Sequence, residues 1–116
     1  MIRLYGIANC DTVRKARAWL DENGVAYEFR DFRKWPPTAE LLLHWIDELG
    51  VEPLLNRRGT TWRKLPPAVQ AEAASTEGAV RLMLAHPSAI RRPVVETGGQ
   101  LWTGFDAEDY RRRLEK

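Results

Sequence analysis

Cys10 is the only thiol in a chain of 116 residues, and it sits where thiol chemistry is most easily switched on. A β-prone run, Ile2, Leu4, Tyr5 and Ile7, leads through Gly6-Ile7-Ala8-Asn9 into a helical pattern from Asp11 to Glu22. Cys10 therefore opens a helix that follows a strand. The nucleophilic form of cysteine is the thiolate, and a helix amino terminus favours it through partial positive charge and unpaired backbone N–H groups. Thr12 offers a hydroxyl close by, and Arg14 and Lys15 place cationic charge one turn along the helix. These neighbours also have a purely structural reading: Asp11 and Thr12 as helix-start residues, and Arg14, Lys15 and Arg17 as a solvated outer face.

Position 13 is valine, so the Cys-x-x-Cys pattern of dithiol oxidoreductases is absent, and no other cysteine is available to resolve an adduct on Cys10. Turnover at this residue requires an external thiol. In a reducing compartment the abundant one is glutathione, acting as reductant or co-substrate and not as a bound cofactor. His44 and His86 belong to no ligand cluster, so no metal is expected.

The elements that must hold Cys10 follow from periodicity. Val13, Ala16 and Leu20 form one helical face, and Asn23-Gly24 supplies a left-handed stop. Residues 25–32 read as a second strand, which makes the opening third a β-α-β unit. Thr38 caps a helix reaching Leu49, with Leu41, Leu42, Trp45, Ile46 and Leu49 as its apolar stripe and Gly50 as its end. Between Val51 and Leu65 the pattern weakens to a helical turn at Glu52–Leu55 and a polar loop at Asn56–Gly59, polar enough to face a site. Pro66-Pro67 starts a short alanine-rich helix. Ser75 or Thr76 caps the next, which carries Val80, Leu82, Met83 and Leu84 and stops at His86-Pro87. Residues 90–96, Thr97-Gly98-Gly99 and residues 100–103 read as a β-hairpin, and Asp106 caps a final helix ending in Arg111-Arg112-Arg113. The sum is an α/β chain, a mixed four-stranded sheet with helices packed on it, on the thioredoxin plan with a helical insertion.

Composition agrees with one domain over residues 1–116, with 44% hydrophobic and 29% charged residues and five tryptophans to fill a core. A net charge of +2 is too small to argue for nucleic acid as a partner. The amino terminus lacks a secretory pattern, and no apolar run approaches the roughly 18 residues of a membrane span. A cytoplasmic protein with no membrane partner is expected.

Several segments together resemble one family. They are the Cys10-Asp11-Thr12-Val13-Arg14-Lys15-Ala16 helix start, Leu54-Leu55, Met83-Leu84-Ala85-His86-Pro87, Ile90-Arg91-Arg92-Pro93-Val94-Val95 and Trp102-Thr103-Gly104-Phe105. Together they are similar to the arsenate reductase (ArsC)/Spx family, and within it to the small YffB-type branch. The resemblance implies that Arg92 acts beside Cys10 as an anion-binding arginine, and that Pro93 is the cis-proline placed against the thiol. With these come Asn9, Thr12, Arg14, Lys15, Arg57 and Pro93 as substrate-binding residues. Arginines that hold arsenate in related reductases correspond here to Asn56 and Thr103, with Arg57 or Arg58 as partial substitutes.

Three functions are compatible with that set. The first is a glutathione-dependent monothiol reductase acting on a disulfide, which needs a carboxylate-binding basic cleft for which Arg14, Lys15, Arg33, Lys34, Arg57 and Arg92 are candidates. The second is an Spx-like module that docks on a protein partner such as RNA polymerase. The third is an arsenate reductase, whose substrate is an oxyanion.

Overall fold

The computed structural model describes residues 1–114; the last two residues of the 1–116 span lie outside the described residues. The elements in chain order are β1 (Ile2–Gly6), α1 (Asp11–Glu22), β2 (Tyr27–Asp31), α2 (Ala39–Leu49), α3 (Val51–Leu54), α4 (Thr60–Lys64) and α5 (Pro67–Gln70). A 3-10 turn (Ala71–Ala74) leads to α6 (Thr76–Ala85). A second (Pro87–Ala89) leads to β3 (Val94–Thr97), β4 (Gln100–Thr103) and α7 (Ala107–Leu114). The described chain groups into two compact units, one formed by residues 1–34 and 92–114 and the other by Trp35–Arg91.

The first unit holds the sheet, in the order β2-β1-β3-β4. β1 pairs parallel with β2 and antiparallel with β3, and β3 pairs antiparallel with β4. This is the mixed four-stranded thioredoxin plan that the sequence predicts. Period-two alternation sends Ile2 and Leu4 to one face, where they meet Val95 and Trp102 from the neighbouring strands. α1 covers that face with Val13, Ala16 and Leu20, and α7 adds Tyr110. Tyr110 sits at the centre of an aromatic group, edge-on to Trp19, Trp102 and Phe105 with ring centroids 4.8–5.8 Å apart. Such edge-to-face pairs contribute about 0.5–1.5 kcal/mol each beyond the area they bury. The hairpin turns on Gly98 and Gly99, both at positive φ (50° and 82°), the combination that a two-residue turn of matching twist requires.

In the second unit, α2 starts as read, with the Thr38 hydroxyl accepting from the Leu41 N–H at 3.1 Å, and ends at Gly50, φ 82°. α2 buries Leu42, Trp45 and Ile46, while α6, capped by Ser75, buries Ala79, Val80, Leu82 and Met83. Gly78 fits where no side chain would, because a Cβ there would lie 1.9 Å from the Glu72 carbonyl oxygen.

Four details differ from the sequence reading. β2 is shorter than residues 25–32, because Val25 closes the helix end by donating its N–H to the Leu20 carbonyl at 2.9 Å. The segment before Leu65 contains a further helix, α4, which buries Trp62. The strand read from residue 90 begins at Val94: Ile90 bridges Leu55 instead, and Arg91 donates its N–H to the Leu54 carbonyl at 2.7 Å. Trp35, one of the five tryptophans read as filling a core, is 58% exposed.

Candidate functional site around Cys10

The strand-to-helix transition at Cys10 depends on close packing one step earlier. A Cβ on Gly6 would lie 2.7 Å from Val13 Cγ2, so glycine at the end of β1 lets the first turn of α1 pack tightly there. The chain then turns, with the Cys10 N–H donating to the Ile7 carbonyl at 3.1 Å. Cys10 occupies the N-cap position with extended backbone, and its carbonyl accepts from the Arg14 N–H at 2.9 Å. Its side chain makes no capping hydrogen bond, remains a free thiol, and is partly buried against the core of the first unit. Thr12 and Lys15 are exposed on the same first turns.

Two cations near this turn have partners. The Arg14 guanidinium pairs with the Asp11 carboxylate, so the charge that the sequence offers at the helix start is largely balanced locally. Arg33 donates from Nη2 to Asn9 Oδ1 at 2.9 Å across 24 residues. Sheet register explains the reach: Gly6 pairs with Asp31, and the Phe32 N–H donates to the Gly6 carbonyl at 2.8 Å. The chain leaving β2 thus starts beside the chain leaving β1.

The same end of the sheet receives Arg92 and Pro93. Tyr5 pairs with Val94, which sets Pro93 level with Gly6. The Arg92–Pro93 bond is cis, as the resemblance implies, and the Pro93 carbonyl accepts from the Gly104 N–H at 2.8 Å. Pro93 is buried and Arg92 partly exposed; the Arg92 side chain pairs with no protein group among the described residues. Asn9, Cys10, Thr12, Arg14, Lys15, Arg33, Arg92 and Pro93 thus lie in one unit. Sequence reasoning offers Arg33 as one of several basic candidates for a glutathione-binding cleft and does not see its bond to Asn9, which depends on strand pairing across 24 residues.

Arg57 and Asn56 lie in the second unit, in the loop before α4. Arg57 is clamped by both Glu52 oxygens, at 2.6 and 2.8 Å, and its guanidinium lies 4.7 Å over the Trp62 ring. The bond to Arg57 holds the Glu52 carboxyl below the usual carboxylate range. Asn56 is spent on its own loop, its Oδ1 accepting from the Arg58 N–H at 3.2 Å. Among the described residues, no group of three or more His, Cys, Asp or Glu side chains could hold a metal ion, and no helix is long and apolar enough to cross a membrane.

The model of the ArsC family matches residues 5–113. This chain belongs to the ArsC family. Its similarity to solved members of that group extends over nearly its whole length. The YFFB protein shares 46% identity and superposes with a TM-score of 0.92, over 98% of this chain and 99% of that one. An arsenate reductase (ArsC) related protein from Brucella melitensis shares 43% identity with a TM-score of 0.78, over 99% and 95% of the two chains. The global transcriptional regulator Spx of Streptococcus agalactiae is 31% identical, covering all of this chain and 85% of the regulator. An uncharacterised Haemophilus influenzae protein is 34% identical over 95% of this ArsC-family chain and 96% of its own length.

Proposed function

We propose that this ArsC-family chain is a monothiol oxidoreductase that works with glutathione, and that Cys10 is its nucleophile. The observation that carries the reading is the position of the chain's only cysteine: partly exposed, at the first turn of α1, at the sheet end that also bears cis-Pro93 and Arg92. The Cys10 thiolate attacks one sulfur of a disulfide; a new S–S bond forms and the other sulfur leaves as a thiolate. Glutathione thiolate then attacks the mixed disulfide, forms a bond to the sulfur carried by Cys10's partner, and releases Cys10 as thiolate. Arg92, unpaired among the described residues and always charged, binds a carboxylate of glutathione or an anionic group of the substrate, and supports the thiolate. Asn9, Thr12, Lys15 and Pro93 belong to the same unit and complete this subsite, and Arg14 contributes only after exchange with Asp11.

Reduced protein incubated with oxidised glutathione tests the proposal by mass spectrometry. A single glutathionyl adduct on Cys10, removed by reduced glutathione and absent in Cys10→Ser, is the expected result. Absence of that adduct, or full disulfide reductase turnover by Cys10→Ser, overturns it.

A second reading has its own observation, the alignment of Spx regulators over the entire chain. It makes this domain a protein-docking module, and saturable binding to purified RNA polymerase that survives Cys10→Ser would favour it.

A further inference from the structure

Arginine has only donors, so the group that Arg33 Nη2 meets on Asn9 at 2.9 Å is the carboxamide oxygen, and the amide NH2 is on the other branch of the side chain. That NH2 donates to no protein acceptor among the described residues, although Asn9 directly precedes Cys10 and is exposed. Arg33 is itself held at its backbone: its N–H donates to Asp31 Oδ1 at 2.9 Å, and the next N–H, of Lys34, donates to the Asp31 carbonyl at 3.0 Å. The preceding residue, Phe32, is buried and stacked on Tyr5. A fixed backbone therefore aims an exposed guanidinium at the turn that carries the thiol.

We infer that Arg33 is a positioning residue for this site, which fixes the Asn9 carboxamide so that its NH2 donates to a carbonyl or carboxylate oxygen of the glutathionyl group attacked by Cys10. The inference rests on the glutathione reading above. Arg33 acts through Asn9 and touches no reacting atom. Without it, the carboxamide is free to rotate and its donor is no longer pre-set, which weakens adduct formation and leaves the thiol's intrinsic reactivity alone.

The test compares two reactions of the full chain across a pH series: glutathionylation by oxidised glutathione, and alkylation by iodoacetamide, which carries no glutathionyl group. Arg33→Ala and Asn9→Ala should each slow glutathionylation about tenfold, the value of one good hydrogen bond to a positioned donor. The double variant should also lose about tenfold, not a hundredfold, because the two residues form one device. Asn9→Asp keeps an acceptor for Arg33 but has no NH2, and should fall with the alanine variants. Iodoacetamide rates of Arg33→Ala, Asn9→Ala and their double variant should stay within about twofold of the parent protein at each pH. The Asn9→Asp glutathionylation rate is read relative to its own iodoacetamide rate, because the added carboxylate also disfavours the thiolate. Multiplicative losses in the double variant, an Asn9→Asp protein as fast as the parent, or equal losses in both reactions would overturn the inference. If the unsubstituted protein forms no glutathionyl adduct yet alkylates normally, the glutathione reading itself falls, a result distinct from all of these.

Discussion

The proposed function gives Arg92 two duties that a single substitution confounds. On the proposed reading, Arg92→Ala removes both the charge that supports the Cys10 thiolate and the forked contact to an anion, so it should slow alkylation at neutral pH and lower glutathione-dependent turnover by about tenfold or more. Arg92→Lys retains the charge but not the fork, and should restore alkylation more fully than turnover; stopped-flow alkylation beside a coupled glutathione assay reads the two effects. Arsenate is expected to be a poor substrate, since Asn56 supports its own loop and Arg57 is clamped by Glu52 and Trp62. Glutathione- and glutaredoxin-coupled arsenate turnover with kcat/KM well below the ordinary enzyme range of about 10⁴ M⁻¹s⁻¹ is the expected outcome. Gly6 bears on the site from behind: Gly6→Ala drives a methyl to within 2.7 Å of Val13 Cγ2 and should cost about 1–3 kcal/mol in urea unfolding. Adding Val13→Ala should recover part of that loss if the clash is the cause.

Local rules explain why so many elements could be read from the sequence, and their failures are equally local. Thr38, Ser75, Gly50 and the Gly98-Gly99 turn each announce a boundary through a hydrogen bond or dihedral that involves only near neighbours, and each boundary stands where it was expected. Thr38→Ala should accordingly cost about 1 kcal/mol in thermal or urea unfolding, since the Leu41 N–H loses its acceptor. α4 was illegible because five residues, Thr-Thr-Trp-Arg-Lys, are too few for a helical period and carry one apolar side chain, Trp62. The start of β3 was misplaced because Ile90 and Arg91 take partners in Leu55 and Leu54, a pairing across some 35 residues that no local pattern encodes. The candidate site divides in the same way. Cys10 at a helix start follows from strand and helix periodicity, whereas the Arg33 bond to Asn9 depends on β1 and β2 lying in register. The three carboxyl-terminal arginines read as surface and are, with Arg111 paired to Glu108 and the other two to Asp109.

The molecule as a whole carries two phenols that resist ionisation. Burial first, and then the hydrogen bond from its hydroxyl to Glu96 Oε1 at 2.7 Å, push Tyr5 up to about 12. Burial likewise raises Tyr110, whose hydroxyl donates to the Gly104 carbonyl at 2.7 Å. Between about pH 10 and 12 the unfolded chain gives up these protons while folded Tyr5 keeps its own. The unfolded state then binds fewer protons, so stability present below pH 10 is lost as pH rises through that window. Thermal unfolding midpoints measured from pH 8 to 12 should fall steeply above pH 10, and Tyr5→Phe, which has no proton to lose, should fall less steeply. The sheet order has one more consequence, in the time domain of synthesis. β1 is made before both of its sheet partners, β2 and β3, and lies between them, yet the 57 residues of Trp35–Arg91 fall between those partners in the chain. A ribosome adding about 5–20 residues per second needs roughly 3–11 s for that stretch. For those seconds β1 and α1 exist with one sheet edge open and Cys10 already translated, before the strand that follows Arg92 has been made.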